Sequence, residues 1–335
     1  MPDQPDIGPN EKFALVGFHT IRSADSLSSP ISLGPGIWAC GRPPFVLSES
    51  WKQSLGEVRN ILFDQCNVFL LAKMPSSRVE NLDGENEKLK STVYRLFETT
   101  LLTGSVRVFD TLFLVTGSHR EYGPDARQLV EPPAPLSTPG APADEVTPDM
   151  LREAASFVSS IGELEAMGGF ARIGRIYRIH QRALQNPEPM ESLHQFCRCV
   201  EGFILPDIAR TTRQFRSRTE LFVGPTFHRL MGQLYQMRSC VEHLRNIEAE
   251  DWPKDERERR MCVLRERSFI EELSRCCIAR FLASRDVWPH FRDEEALRKF
   301  WQTENTQLRA SIWGRPFDVK RLRARFRISD ADPGP

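Results

Sequence analysis

Apolar positions in the first third of the chain come in short, continuous runs: Lys12-Phe-Ala-Leu-Val-Gly-Phe18, Val68-Phe-Leu-Leu-Ala72 and Val108-Phe-Asp-Thr-Leu-Phe-Leu-Val115. Runs of that length bounded by turn residues predict strands. Residues 83–102 predict a helix, with acidic side chains in the first turn where the helix dipole favours them. Residues 1–130 are therefore expected to form an α+β domain. From Thr147-Pro148 onward the pattern changes, because a hydroxyl followed by Pro suits a helix start and strand-like alternation then stops. Helices are expected over about 148–164, 169–185, 190–205, 225–244, 255–285 and 294–308. In the fourth of these, Phe227, Leu230, Met231, Leu234, Met237, Val241 and Leu244 recur at the spacing that buries one stripe.

The expected fold class is thus mixed: an α+β domain over 1–130, a Pro-rich linker over 131–149, an all-α helical bundle over 150–310, and a basic C-terminal segment and tail over 311–335. The linker carries six prolines and almost no bulky apolar residues, so it is expected to be extended, mobile and the first place a protease cuts.

Composition excludes a disordered chain: 40% of residues are hydrophobic and 27% charged, an ordinary globular balance. The net charge of zero gives no overall pull toward nucleic acid. The cations are unevenly chosen, however, with 37 Arg against 8 Lys, and Arg binds phosphate oxygens through a planar fork. Genomic base composition explains the same bias equally simply. Eight cysteines without C-x2-C hooks argue against structural zinc and for a reducing cytoplasm. The start Met-Pro-Asp-Gln-Pro-Asp-Ile and the lack of a long apolar run predict neither secretion nor a membrane span. No Walker loop, G-x-S-x-G elbow or H-E-x-x-H appears, and Gly34-Pro-Gly36 and Gly168-Gly169 lack the rest of a phosphate fingerprint. No metal or cofactor is expected.

The richest stretch is Leu234-Tyr-Gln-Met-Arg-Ser-Cys-Val-Glu-His243. Arg238 and His243, five positions apart, stand roughly 140° apart on a helix and suit a site completed by a second copy. Ser239, four before His243, could fix the ring's tautomer. Arg238 and Glu242 at i, i+4 also suit an ordinary surface ion pair, with His243 merely ending the helix. The stretch resembles the signature of HEPN domains, in particular the Apea-like branch, roughly Leu-Tyr-x-x-Arg-Ser-x-x-x-His. The resemblance extends over about 150–305 through an Arg-rich helix near 169–185, Leu193–Pro206 and Arg216-x-Arg218. Relatives often place Gly after the motif His; here Leu244 follows, so the helix is expected to continue where theirs turns.

That resemblance implies a metal-independent endoribonuclease in which the RNA 2′-hydroxyl attacks the adjacent phosphorus and leaves a 2′,3′-cyclic phosphate. Catalysis would fall to Arg238, Ser239 and His243, in a homodimer acting on RNA, in a toxin or phage-defence role with an antitoxin or defence-system partner protein. RNA-binding candidates are Arg172, Arg175, Arg178 and Arg182, spaced as one stripe, and Arg213, Arg216 and Arg218 before the motif helix. The stripe equally suits the solvated face of an amphipathic helix. Val319–Arg327 alternates basic with apolar or small residues, which fits either RNA contact with Phe326 stacking or an edge strand. His119 and His194 have no acidic or Cys/His partners at ligand spacing. The alternative to the nuclease is a non-catalytic helical module binding RNA or a protein.

Overall fold

The computed structural model describes all residues except 1–4, 22–24, 121–122, 137–142, 208–209, 246–252, 254 and 325–335. The N-terminal part is built on a six-stranded antiparallel sheet: β1 (Glu11–Thr20), β2 (Ile31–Gly34), β3 (Ile37–Cys40), β4 (Val68–Pro75), β5 (Val108–Arg120) and β6 (Gly123–Val130), in the order β2-β3-β4-β1-β5-β6. The first strand is central, with Leu15 opposite Leu71 on one side and Val115 on the other. Alternate side chains go to opposite faces of a strand, and here both faces are covered. Phe13 and Leu15 join Phe45, Phe63, Phe69, Phe113 and Val115 on one face, where α1 (Glu49–Gln65) contributes Phe63. Phe18 meets Phe97 of α2 (Gly84–Thr103), their ring centroids 5.1 Å apart, from the other.

Asp83 caps α2 by accepting from the Glu85 N–H at 3.0 Å, and Asn86 returns a bond to the Asp83 N–H. Gly34-Pro-Gly36 closes the β2–β3 hairpin, and a Cβ on Gly36 would stand 2.5 Å from the Lys73 carbonyl oxygen. Only glycine fits so close an approach.

The remaining helices are α3 (Pro148–Met167), α4 (Ala171–Leu184), α5 (Pro189–Ile204), α6 (Thr211–Val223), α7 (His228–Glu242), α8 (Glu256–Ala283), α9 (Trp288–Phe291), α10 (Glu294–Gln302), α11 (Thr306–Trp313) and α12 (Val319–Ala324). Two compact units result, and their division falls inside α3: Met1–Pro135 with Ala143–Ser159, and Leu136–Pro142 with Ser160–Pro335. In the second, α5 packs against α4, α7 and α8. A Cβ on Gly202 of α5 would stand 2.4 Å from Ile176 of α4, so these helices approach nearly backbone to side chain. Phe203, Phe222, Phe281, Phe291, Trp288, Trp301 and Trp313 fill its core.

The structure corrects four expectations. The flanks of the Pro-rich segment are docked: Asp144 and Ser105 exchange two hydrogen bonds at 2.8 Å, Val146 is fully buried, and Leu136 donates its N–H to the Leu184 carbonyl at 2.7 Å. Residues 137–142 lie outside the described residues. The expected helix at 294–308 is two, because Asn305 caps α11 by accepting from the Leu308 N–H. The basic segment from Val319 begins as α12 rather than as an edge strand, since Asp318 accepts from the Arg321 N–H at its start; Phe326 and Arg327 lie outside the described residues. The helix carrying Arg238 ends at Glu242 instead of running on through Leu244.

Candidate functional site

Two helices build the site. α5 starts with Glu188 accepting from the Met190 N–H and with Pro189 in its first turn. It carries His194, Arg198 and Glu201 at i, i+4 and i+7, a spacing that lines one face. α7 carries Tyr235, Arg238 and Glu242 at i, i+3 and i+7, while Leu230, Met231, Leu234 and Met237 are buried. The apolar stripe fails at its far end, because Leu244 is 94% exposed.

The end of α7 is a Schellman turn. The Arg245 N–H donates to the Cys240 carbonyl at 2.9 Å and the Leu244 N–H to the Val241 carbonyl at 3.2 Å, with Leu244 at φ 52°. Glycine normally takes that left-handed position, where an L side chain costs about 1–2 kcal/mol. The chain therefore turns after His243 without glycine. His243 is the exposed C-cap, its N–H donating to the Ser239 carbonyl at 3.1 Å. The half-buried Ser239 side chain makes no hydrogen bond to the His243 ring among the described residues.

Arg238 is thoroughly engaged. Its Nη2 donates to Glu201 Oε2 at 3.0 Å, its Nη1 lies 3.5 Å from Glu242 Oε2, and its guanidinium stands 5.6 Å from the Tyr235 ring centroid. Glu242 Oε2 also accepts from His194 Nε2 at 2.6 Å. Glu201 and Arg238 are mostly buried, His194 more than nine-tenths so, and Glu242 is 41% exposed. His194 Nδ1 and Arg238 Nε are buried without a hydrogen-bond partner. The two carboxyls are pushed apart: burial, outweighing the pull of Arg238, raises Glu201 above the usual range, whereas the His194 hydrogen bond, helped by Arg238, lowers Glu242. His194 thus gains an acidic partner 48 positions away.

The other candidates scatter. On α4, Arg175, Arg178 and Arg182 are exposed, while Arg172 is ion-paired with Glu294. Arg213 and Arg216 are exposed on α6, with the Arg216 stem beside Gly232 of α7. Arg218 instead donates to the Ile204 and Leu205 carbonyls at 2.7 and 2.6 Å and lies over Trp301, so it closes the end of α5. His180 bonds Ser274 Oγ at 2.9 Å in the core, and burial pushes its pKa down to about 3, which keeps it neutral. All eight cysteines are free. Among the described residues no cluster of His, Cys, Asp or Glu is disposed to hold a metal, and no helix is long and apolar enough to cross a membrane.

The chain matches no family model, no curated protein and no solved structure.

Proposed function

We propose that the helical unit is a metal-independent endoribonuclease of HEPN type that acts on RNA as a homodimer. The observation that carries the reading is the end of α7, where the turn at Leu244 leaves His243 in solvent just beyond Arg238, itself fixed in place by Glu201. The substrate's 2′-oxygen attacks phosphorus, the bond to the 5′-oxygen breaks, and a cyclic phosphate and a 5′-hydroxyl result. His243 moves the proton, since an imidazole both accepts and donates near neutrality. Arg238 stabilises the charge growing on the phosphorane, and Ser239 orients a phosphate oxygen. Arg175, Arg178 and Arg182 supply an exposed row for the RNA backbone. A toxin or phage-defence setting, with an antitoxin-like partner, belongs to the same proposal.

Full-length protein incubated with RNA in excess chelator tests it. Cyclic-phosphate ends are expected, with His243→Ala losing roughly 10²–10⁴-fold in rate while the melting curve is unchanged, and light scattering is expected to give about twice the 38.4 kDa chain mass. One observation favours a non-catalytic helical module instead: Arg238 lies between two carboxylates as an interhelical strap. If wild type cuts no RNA, and Glu242→Ala destabilises the protein as much as Arg238→Ala does, that second reading replaces the first.

A further inference from the structure

One oxygen, Glu242 Oε2, is shared by an imidazole from α5 and a guanidinium from α7, at 2.6 Å from His194 Nε2 and 3.5 Å from Arg238 Nη1. A carboxylate acceptor requires the proton on Nε2, and the buried Nδ1 meets no donor, so the ring is fixed in the tautomer that donates to an oxyanion. Nη2 is held separately by Glu201, so the guanidinium keeps its place whether or not Glu242 is there. Nε is buried and partnerless, leaving donor capacity that the two carboxylates do not use. Glu242 is the most exposed of the four and stands on the last turn of its helix, where rotating its side chain disturbs no backbone. Arg198 adds positive potential to both carboxylates. An arginine fork and an imidazole N–H around one oxygen form a donor set suited to phosphate.

We infer that Arg238 and His194 form a phosphate-binding site that the chain's own Glu242 carboxylate fills in the free protein. The ligand is a backbone phosphodiester, which displaces Glu242 from both donors. At neutral pH Glu242 is an anion and competes for the place directly. Glu201 is more tolerant of an incoming phosphate, because burial makes its carboxyl protonate more readily than a free glutamate. Only the identity of the phosphate as RNA rests on the cleavage reading; the anion site stands without it.

The test is calorimetric titration of full-length protein with inorganic phosphate at fixed ionic strength, comparing wild type with Glu242→Ala and with Glu242→Gln, which keeps the shape and removes the charge. Both variants are expected to bind phosphate roughly tenfold tighter or more, the effect of removing a charge a few ångströms away. Adding His194→Ala to either is expected to abolish the gain. Folded Glu242 variants that bind no tighter than wild type overturn the inference, and so does a gain that survives loss of His194. Cleavage assayed on the same proteins separates the two readings. A chain that shows the phosphate gain but cuts no RNA keeps the site and loses the nuclease, and one that cuts RNA without the gain does the reverse.

Discussion

Each unit of this protein places a cation between two carboxylates, and the two arrangements serve opposite ends. In the sheet unit Lys12 is fully buried, its Nζ 2.8 Å from Asp83 and 3.0 Å from Glu85. Both partners have further fixed duties, Asp83 capping α2 and Glu85 accepting from Ser76 Oγ at 2.6 Å. Both are held below their ordinary range, Asp83 chiefly by Lys12 and Glu85 chiefly by Ser76. In the helical unit the carboxyls on Arg238 move in opposite directions, one more easily protonated and the other less. Matched partners make a strap that gains nothing by letting go. Split partners make a place where charge can be exchanged, which is where chemistry tends to be found.

The contrast breaks most visibly at Lys12. Lys12→Met removes the buried ammonium from between Asp83 and Glu85, leaving them only the exposed Arg78, and should give the largest loss of stability of the set, read by denaturant unfolding followed through Trp38 and Trp51. A loss within the range of exposed pairs, below about 1 kcal/mol, would erase the distinction. Glu201→Gln should cost the helical unit less, because Arg238 keeps Glu242 and the amide buries no charge; unfolding followed by helical circular dichroism measures it.

Acid sharpens the comparison without mutation. Asp83 and Glu85 are lowered, so the unfolded chain binds more protons than the native one as pH falls below about 4.5, and the stability they confer is lost through their depressed folded values. Glu242 follows the same sign, while Glu201, raised, has the opposite one and partly offsets it. Hydrogen exchange should therefore show the start of α2 opening in acid before the α5–α7 contact, and the reverse order would contradict the assignment. The smallest effect is at Leu244, where Leu244→Gly should stabilise the protein by about 1 kcal/mol by removing left-handed strain, seen as a modest rise in Tm.

Strong local patterns were readable in the chain. The apolar runs at 12–18, 68–72 and 108–115 lie within β1, β4 and β5, and the helix expected at 83–102 is α2 at 84–103. What escaped lacked a local signal. β2 and β3 have four residues each, β6 begins Gly-Pro-Asp, and α1 is interrupted at Gly56 with φ 74°. α6 buries only Phe215, Thr219, Phe222 and Val223, set among the arginines at 213, 216 and 218, too short an apolar stripe to stand out from the polar residues around it. Within the site, spacing alone pairs Arg238 with Glu242. It does not reach Glu201 and His194, because their partners lie 37 and 48 positions off and only the packing of α5 on α7 joins them.

The place of β1 in the sheet has a price in time. It leaves the ribosome before the rest of its sheet with eight of its ten residues destined for burial, yet its neighbours are β4 and β5, and the last of these is complete only at Arg120. At the usual 5–20 residues per second of synthesis, a sticky segment with two open edges waits on the order of 5–20 s for both partners. Pairings of such long sequence separation also form slowly once the chain is free. The sheet unit is thus the part of this protein that most needs shelter as it is made.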